Sequence, residues 1–225
     1  MEGIIERGKN YSMHSVNEEI IKRLCIHDVA KISDSMARHG SLHNSIKPRK
    51  LGMRLYGQAV TVYAPPGAYD TVIKAAKMTG PGYVLVVAAQ GFCDAFMADG
   101  LVYSILQKNG ASGVLVDGAI TDTKTAESCK IGIFARAVSP QKILGRVEGA
   151  INIPLYCGGM LIAPGDYVVG DDDGTVVIPE EDIWRVIELA DDHLRGELER
   201  VERTNRGAKL YEMNNSIEKC RNWRG

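Results

Sequence analysis

Residues 150–179 read AINIPLYCGGMLIAPGDYVVGDDDGTVVIP. Short β-prone runs are divided by Gly158-Gly159, Pro164-Gly165-Asp166 and the run Asp171 to Gly174. That is the turn chemistry of antiparallel hairpins. The DDDG run lacks the alternating ligand spacing of a calcium loop and reads as a tight turn.

Upstream the pattern is different. GQAVTVYAPP (57–66) reads as a strand stopped by two prolines. Asp70 is expected to cap a helix running to Met78, with Pro81-Gly82 closing the unit. YVLVVAA (83–89) is a buried strand, and 99–109 a helix with Gly110 at its C′ position. SGVLVDGAITD (112–122) gives another strand, followed by a short helix, TKTAES, and by GIFARAV (132–138). A βαβα half therefore precedes a β-meander. Downstream, Ile183, Val186, Ile187, Ala190, Leu194, Leu198 and Val201 follow helical spacing. Glu180, Glu181 and Asp182 sit in that helix's first turn, where its dipole favours acids. At the other end, Ser15 and Glu18 form a capping box for a helix whose apolar face is Ile20, Ile21 and Leu24. A second helix is expected from His27 to Arg38, ending at Gly40. The expected class is α/β, a layered α/β/β sandwich with N- and C-terminal helices. It divides into an N-terminal helical extension (1–27), a single domain (28–204) and a polar tail (205–225).

Composition narrows the function classes. The 225 residues are 45% hydrophobic and 24% charged, with a net charge of −1. Those are globular values, and nothing favours nucleic acid or an anionic membrane as a partner. The N-terminal MEGIIERGKNYS is too polar for a signal peptide. No apolar run approaches the roughly 20 residues of a spanning helix. The five cysteines are widely spaced and form no CxxC pair. Reduced thiols and a cytoplasmic location are expected. Cys93 and Cys157 read as buried inert thiols. The histidines, His39 and His43 included, show no metal spacing and read as surface residues.

Chemistry in open α/β proteins collects past the carboxyl ends of strands. Asp117 and Asp122 both lie there, so the loop is a candidate site for a divalent cation or a proton. The plainer reading makes Asp122 the N-cap of the TKTAES helix and Asp117 a turn closer. There is no glycine-rich strand–turn–helix loop with a following acidic ribose contact, which argues against a nucleotide-type cofactor. A Schiff base on Lys124 or Lys74 would need a desolvated amine, and nothing in the sequence marks either one so.

GQAVTV, PGYVLVV, GVLVDGAITD and the GGMLIAPGDYVVGDDDGTVVIP block, in that order, resemble the RraA-like proteins. That family holds the 4-hydroxy-4-methyl-2-oxoglutarate / 4-carboxy-4-hydroxy-2-oxoadipate aldolases and the regulator of ribonuclease E activity A. The resemblance covers about 28–194. It implies a swivelling β/β/α fold, a trimer or a hexamer, and sites at subunit interfaces. The aldolases hold Mg²⁺ or Mn²⁺ and release pyruvate from 2-oxo acids. Their motif is Gly-Asp/Glu opening a helix, then Arg-Asp, then an acid three positions on.

On this chain the metal-binding Asp falls at Asp122 and the Arg position is Thr121. The helix-opening pair is Asp99-Gly100, with the acid one place early. The later acid position is Thr125, and Tyr83 replaces the family's Asp in PGD. The resemblance therefore assigns Asp122 as metal ligand, and Asp122 and Thr121 to the catalytic position. It assigns Asp99, Gly100, Leu101, Val102 and Thr121 to substrate binding. Thr121 offers one hydroxyl where Arg would give a bidentate clamp. Asp99 is expected to cap the helix amides, or else to turn toward Asp122 as a second ligand. Lys124 points to solvent or supplies a point charge. Glu197 and Glu199 are positional counterparts of an acid the aldolases take from an adjacent subunit, although solvated helix acids are the plainer reading. Two functions follow: a divalent-metal lyase acting on a 2-oxo acid or an altered substrate, or a non-catalytic regulatory protein of the ribonuclease-inhibitor type.

Overall fold

The computed structural model describes residues 16–144 and 147–206. The chain opens with α1 (Glu18–Leu24), α2 (Val29–Ser35), β1 (Lys47–Pro48), β2 (Leu55–Tyr63), α3 (Tyr69–Met78) and β3 (Tyr83–Ala88). It continues with β4 (Phe96–Ala98), α4 (Gly100–Lys108), β5 (Gly113–Ile120), α5 (Thr123–Ser128) and β6 (Gly132–Val138). Then come β7 (Ala150–Ile151), β8 (Leu155–Cys157), β9 (Met160–Ile162), β10 (Tyr167–Asp171) and β11 (Gly174–Ile178). A 3-10 turn (Glu180–Asp182) leads into α6 (Ile183–Asn205).

The main sheet runs β1-β6-β5-β3-β2-β10-β11, with β4 beside β5 and β7 beside β2. Its centre, β2, β3, β5 and β6, is parallel. β10 joins antiparallel to β2 and turns back through Asp171 to Gly174 into β11. Every residue of β3 and β5 is buried, as expected where helices or loops cover both faces. β5 and β6 begin on the paired glycines Gly113 and Gly132. A Cβ on Gly113 would stand 2.1 Å from the Gly132 carbonyl oxygen, so the close approach excludes side chains there.

Two apolar clusters hold the layers together. Val72, Ala75, Val102 and Leu106 of α3 and α4 pack on Leu85, Val87, Leu115 and Phe134. Ile20, Leu24, Val29 and Ile32 of α1 and α2 join Ile183, Val186 and Ile187 of α6 over Tyr167, Val169, Val176 and Ile178. The terminal helices thus seal the β10–β11 end of the sheet.

Several local expectations are corrected. Ser15 lies outside the described residues, and α1 is capped by Asn17, whose Oδ1 accepts the Glu19 N–H at 3.0 Å. α2 stops at Ser35 instead of Arg38, because Ala37 and Arg38 adopt φ of 51° and 67°. Ala68 occupies the α3 cap, and Asp70 sits in the first turn, where it favours the dipole without capping. His27 is no surface residue. It is 1% exposed, and its Nε2 lies 2.8 Å from Asp191 on α6. His193 is half-buried beside Ser35.

Asp191 also takes the Arg23 guanidinium, so one carboxylate clamps α1 and the α1–α2 corner to α6. Burial pushes its pKa up, but the bonds from Arg23 and His27 outweigh this and hold it below the ordinary value. A depressed carboxyl stabilises the fold above its unfolded pKa, and the contribution is lost as pH falls through the folded one. Hydrogen exchange, corrected for intrinsic rates, should show α1 losing protection before β3 and β5 below about pH 4. Asp191→Asn should leave α1 weakly protected at every pH. An α1 that stays as protected as the sheet in acid would refute the clamp.

Candidate functional site

β5 carries the chain to the site, and the loop after it is fixed from both sides. The Thr121 N–H donates to the Ala98 carbonyl at 3.1 Å, and the Tyr103 hydroxyl donates to the Thr121 carbonyl at 2.9 Å. Asp122 then adopts the left-handed conformation, φ 56° and ψ 49°, at the N-cap position of α5. Its carbonyl starts that helix by accepting the Ala126 N–H at 2.9 Å, but its carboxylate does not cap α5. Oδ2 instead reaches the neighbouring helix and accepts the Gly100 N–H at 2.9 Å. The simple N-cap reading of Asp122 is therefore overturned. Asp122 is in the cap position, yet it spends its side chain on α4.

Asp99 behaves as the capping expectation said. Its Oδ1 accepts the Leu101 and Val102 N–H groups at 3.1 and 3.2 Å. Its Oδ2 accepts the Tyr69 hydroxyl at 2.7 Å. It does not turn to Asp122 as a second ligand, because both its oxygens are engaged. Backbone amides at a helix start ordinarily make an anion site. Here Gly100, Leu101 and Val102 deliver their N–H groups to two carboxylates of the chain itself. An incoming carboxylate would find the donors taken and two like charges beside it.

Tyr69, which the sequence reading passed over, closes this arrangement. Burial pushes its pKa well up, and the bond to Asp99 adds to the rise, so it remains a neutral donor. Phe96 meets it edge-on at 6.0 Å, and the Lys142 amine stands 4.3 Å from its ring centroid. Burial raises Tyr103 as well, with Asp99 and Asp122 adding to the rise.

An open groove of about 390 Å³ lies against Asp122, lined also by Thr121, Lys124, Thr125, Val138 and Pro140. Asp122, Lys124 and Thr125 are exposed. Glu197 is not free for a neighbouring site, since Lys31 holds it at 2.8 Å; that contact lowers its pKa. Glu199 is exposed on α6. Among the described residues no three His, Cys, Asp or Glu side chains are grouped to hold a metal ion.

Asp117 is not a turn closer. It lies inside β5, 4% exposed, where Oδ1 accepts the Arg136 Nε–H and Oδ2 accepts the Gly158 N–H at 2.8 Å. Asp117 and Arg136 each stand one residue beyond the registered pair Val116 and Ala135. A lone acid and a lone base at matching places in adjacent buried strands was the signal available in sequence. Burial pushes the Cys157 thiol up beside them. Cys93, expected to be buried, is half-buried and donates to the Gly91 carbonyl.

Residues 29–177 match the family model described as RraA-like: Aldolase/RraA. A protein of Halalkalibacterium halodurans, provisionally named 4-hydroxy-4-methyl-2-oxoglutarate aldolase, is 35% identical over 71% of this chain and 76% of its own. The RNA-processing inhibitor RraA from Thermus thermophilis superposes with a TM-score of 0.63 at 27% identity, over 68% of this chain and 93% of that one. Streptomyces coelicolor RraAS2, an unusual member of the RNase ES inhibitor RraA protein family, does so with a TM-score of 0.72 at 26% identity, over 83% and 98%. The mixed α/β fold with helices at its ends is the one these neighbours have. No helix among the described residues is long and apolar enough to cross a membrane.

Proposed function

The chain belongs to the RraA-like family, and we propose that it is an aldolase-type carbon–carbon lyase whose substrate seats no carboxylate on α4. The observation that carries this is the engagement of the Gly100, Leu101 and Val102 amides by Asp122 and Asp99. The kinship with chains named as aldolases supports the reaction class. The self-filled helix end and the neutral Thr121 alter the substrate.

A divalent cation fits the donors present, though sparsely. Asp99 gives both its oxygens to protein donors, while Asp122 keeps Oδ1, which takes no bond among the described residues. Mg²⁺ commonly binds through one or two carboxylates and keeps several waters. Asp122 would hold it, and the ion, when bound, would polarise a substrate carbonyl.

The chain's own contribution is orientation. The Gly100 N–H fixes one Asp122 oxygen and leaves the other, the oxygen that would hold the ion, on the groove side. The tethered loop after β5, Thr121 and Asp122, holds that oxygen in position. Exposed Leu101 and Val138 beside the groove are surfaces that a neighbouring subunit would cover in a trimer or hexamer.

The test uses a matched pair of substrates differing at one group. 4-Hydroxy-4-methylpentan-2-one and 4-hydroxy-4-methyl-2-oxopentanoate both release acetone on retro-aldol cleavage, and only the second carries a carboxylate beside the carbonyl. With Mg²⁺ or Mn²⁺ the neutral ketone should be cleaved with the higher kcat/KM, and excess EDTA should abolish turnover. Asp122→Asn should lower kcat by about 10²–10⁴-fold without changing the melting temperature. Faster cleavage of the acid, or full activity in Asp122→Asn, would overturn the reading. A folded protein that cleaves neither would also overturn it, and would favour a binding role of the RraA kind.

A further inference from the structure

A second cleft lies at the carboxyl ends of the parallel strands and shares no lining residue with the Asp122 groove. Tyr63 closes β2 there, Gln90 follows β3, and Asp117 and Arg136 come from β5 and β6. The segment Ile153, Pro154, Leu155 and Tyr156 forms the opposite wall. At about 630 Å³ it is the larger of the two spaces and has the size of a small-molecule site.

We propose that this cleft binds a small monocarboxylic acid with an apolar body. Arg136 is the anchor. Its Nε–H is committed to Asp117 and one Nη1 hydrogen to the Ser45 hydroxyl at 2.8 Å, so the guanidinium is held at a fixed angle. Its Nη2 group takes no acceptor among the described residues, although the side chain is only 18% exposed. Asp117 cannot relax to claim those hydrogens, because its second oxygen holds the Gly158 N–H. A pre-aimed guanidinium edge with spare donors matches a carboxylate.

Charge selects among anions. Arg136 and Asp117 cancel, and among the described residues no other cation lines the cleft. One added negative charge is tolerable against the oriented donors, whereas a dianion would lack a counter-charge. The walls choose the rest of the molecule. Ile153, Pro154 and Leu155 are apolar, and Tyr156 presents its ring 71% exposed. Gln90, which also lines the cleft, is held at φ 56°, in the left-handed region that a non-glycine residue enters at a cost.

Calorimetry on the full-length protein tests the proposal, with benzoate, hexanoate, benzamide, succinate and inorganic phosphate as probes. Benzoate and hexanoate should saturate one site per chain. Benzamide, succinate and phosphate should bind at least about tenfold more weakly. Arg136→Lys keeps the pairing charge for Asp117 but loses the fork, and should weaken benzoate about tenfold. Tyr156→Ser, on an exposed ring, should also weaken benzoate and covers the case in which Arg136→Lys does not fold. Asp122→Asn should leave benzoate binding unchanged, which separates this site from the proposed lyase centre. No saturation by either acid, equal affinity for phosphate, or loss of benzoate binding in Asp122→Asn would overturn the assignment. So would undiminished binding in Tyr156→Ser.

Discussion

Asp117→Ala is expected to destabilise the folded chain by about 3–5 kcal/mol, read from urea denaturation. The carboxylate is inside β5 and almost wholly out of water, and its two oxygens are taken by Arg136 and by the Gly158 N–H. Removing it leaves a guanidinium in a largely buried position with the Ser45 hydroxyl as its remaining partner among the described residues, and leaves one buried N–H without an acceptor. Each is costly, because a donor stripped of its partner also stays cut off from water. The cost should belong to the orphaned charge more than to the missing pair. The double variant Asp117→Leu with Arg136→Met removes both charges and should therefore lose less than Asp117→Ala alone. A loss below about 1 kcal/mol in Asp117→Ala would mean that Arg136 swings to solvent, and that the pair does not organise the strand ends.

The same pair shows where sequence reading ends. The strands themselves were legible: GIFARAV is β6 residue for residue, and the stretches 83–89 and 112–122 contain all of β3 and β5. The hairpin through Asp171 to Gly174 follows from turn chemistry. Boundaries failed where the chain uses an uncommon conformation, as at Ala37 and Arg38, because left-handed backbone at non-glycine residues leaves no compositional trace. Buried polar partners failed for a different reason. His27 meets Asp191 across 164 positions, and Tyr69 meets Asp99 across 30. Such contacts depend on how layers stack, and local periodicity does not carry that information. In the candidate site the Asp99 cap was readable from its place before an apolar helix. Asp122 was placed correctly in the cap position, but the choice of α4 over α5 is tertiary. It is made possible by Gly100, where a Cβ would lie 3.0 Å from Asp122 Oδ2.

That glycine sets up the second large effect. The triple variant Asp99→Gly, Gly100→Asp, Thr121→Arg should raise kcat/KM for 4-hydroxy-4-methyl-2-oxopentanoate by at least about thirtyfold, the equivalent of about 2 kcal/mol. Loss of a charged clamp of this kind is worth about 2–5 kcal/mol, so restoring one should return at least the lower figure. The order of changes matters. Thr121→Arg alone adds a fork, but Asp99 still occupies the Leu101 and Val102 amides, so its gain should be small. Asp99→Gly alone frees those amides at a cost of a few tenths of a kcal/mol for the cap, plus the acceptor lost to the Tyr69 hydroxyl. The introduced Asp at 100 must displace Asp122 Oδ2 by a few tenths of an ångström, which a carboxylate at the end of a rotatable side chain can give. Cleavage of the neutral ketone should not improve, because it makes no use of the clamp. The discriminating quantity is therefore the ratio of the two substrates' kcat/KM across the four proteins. A ratio that moves as far with Thr121→Arg alone would mean that Asp99 is no obstacle. A ratio that does not move in the folded triple variant would mean that the self-filled end of α4 is not what sets the substrate.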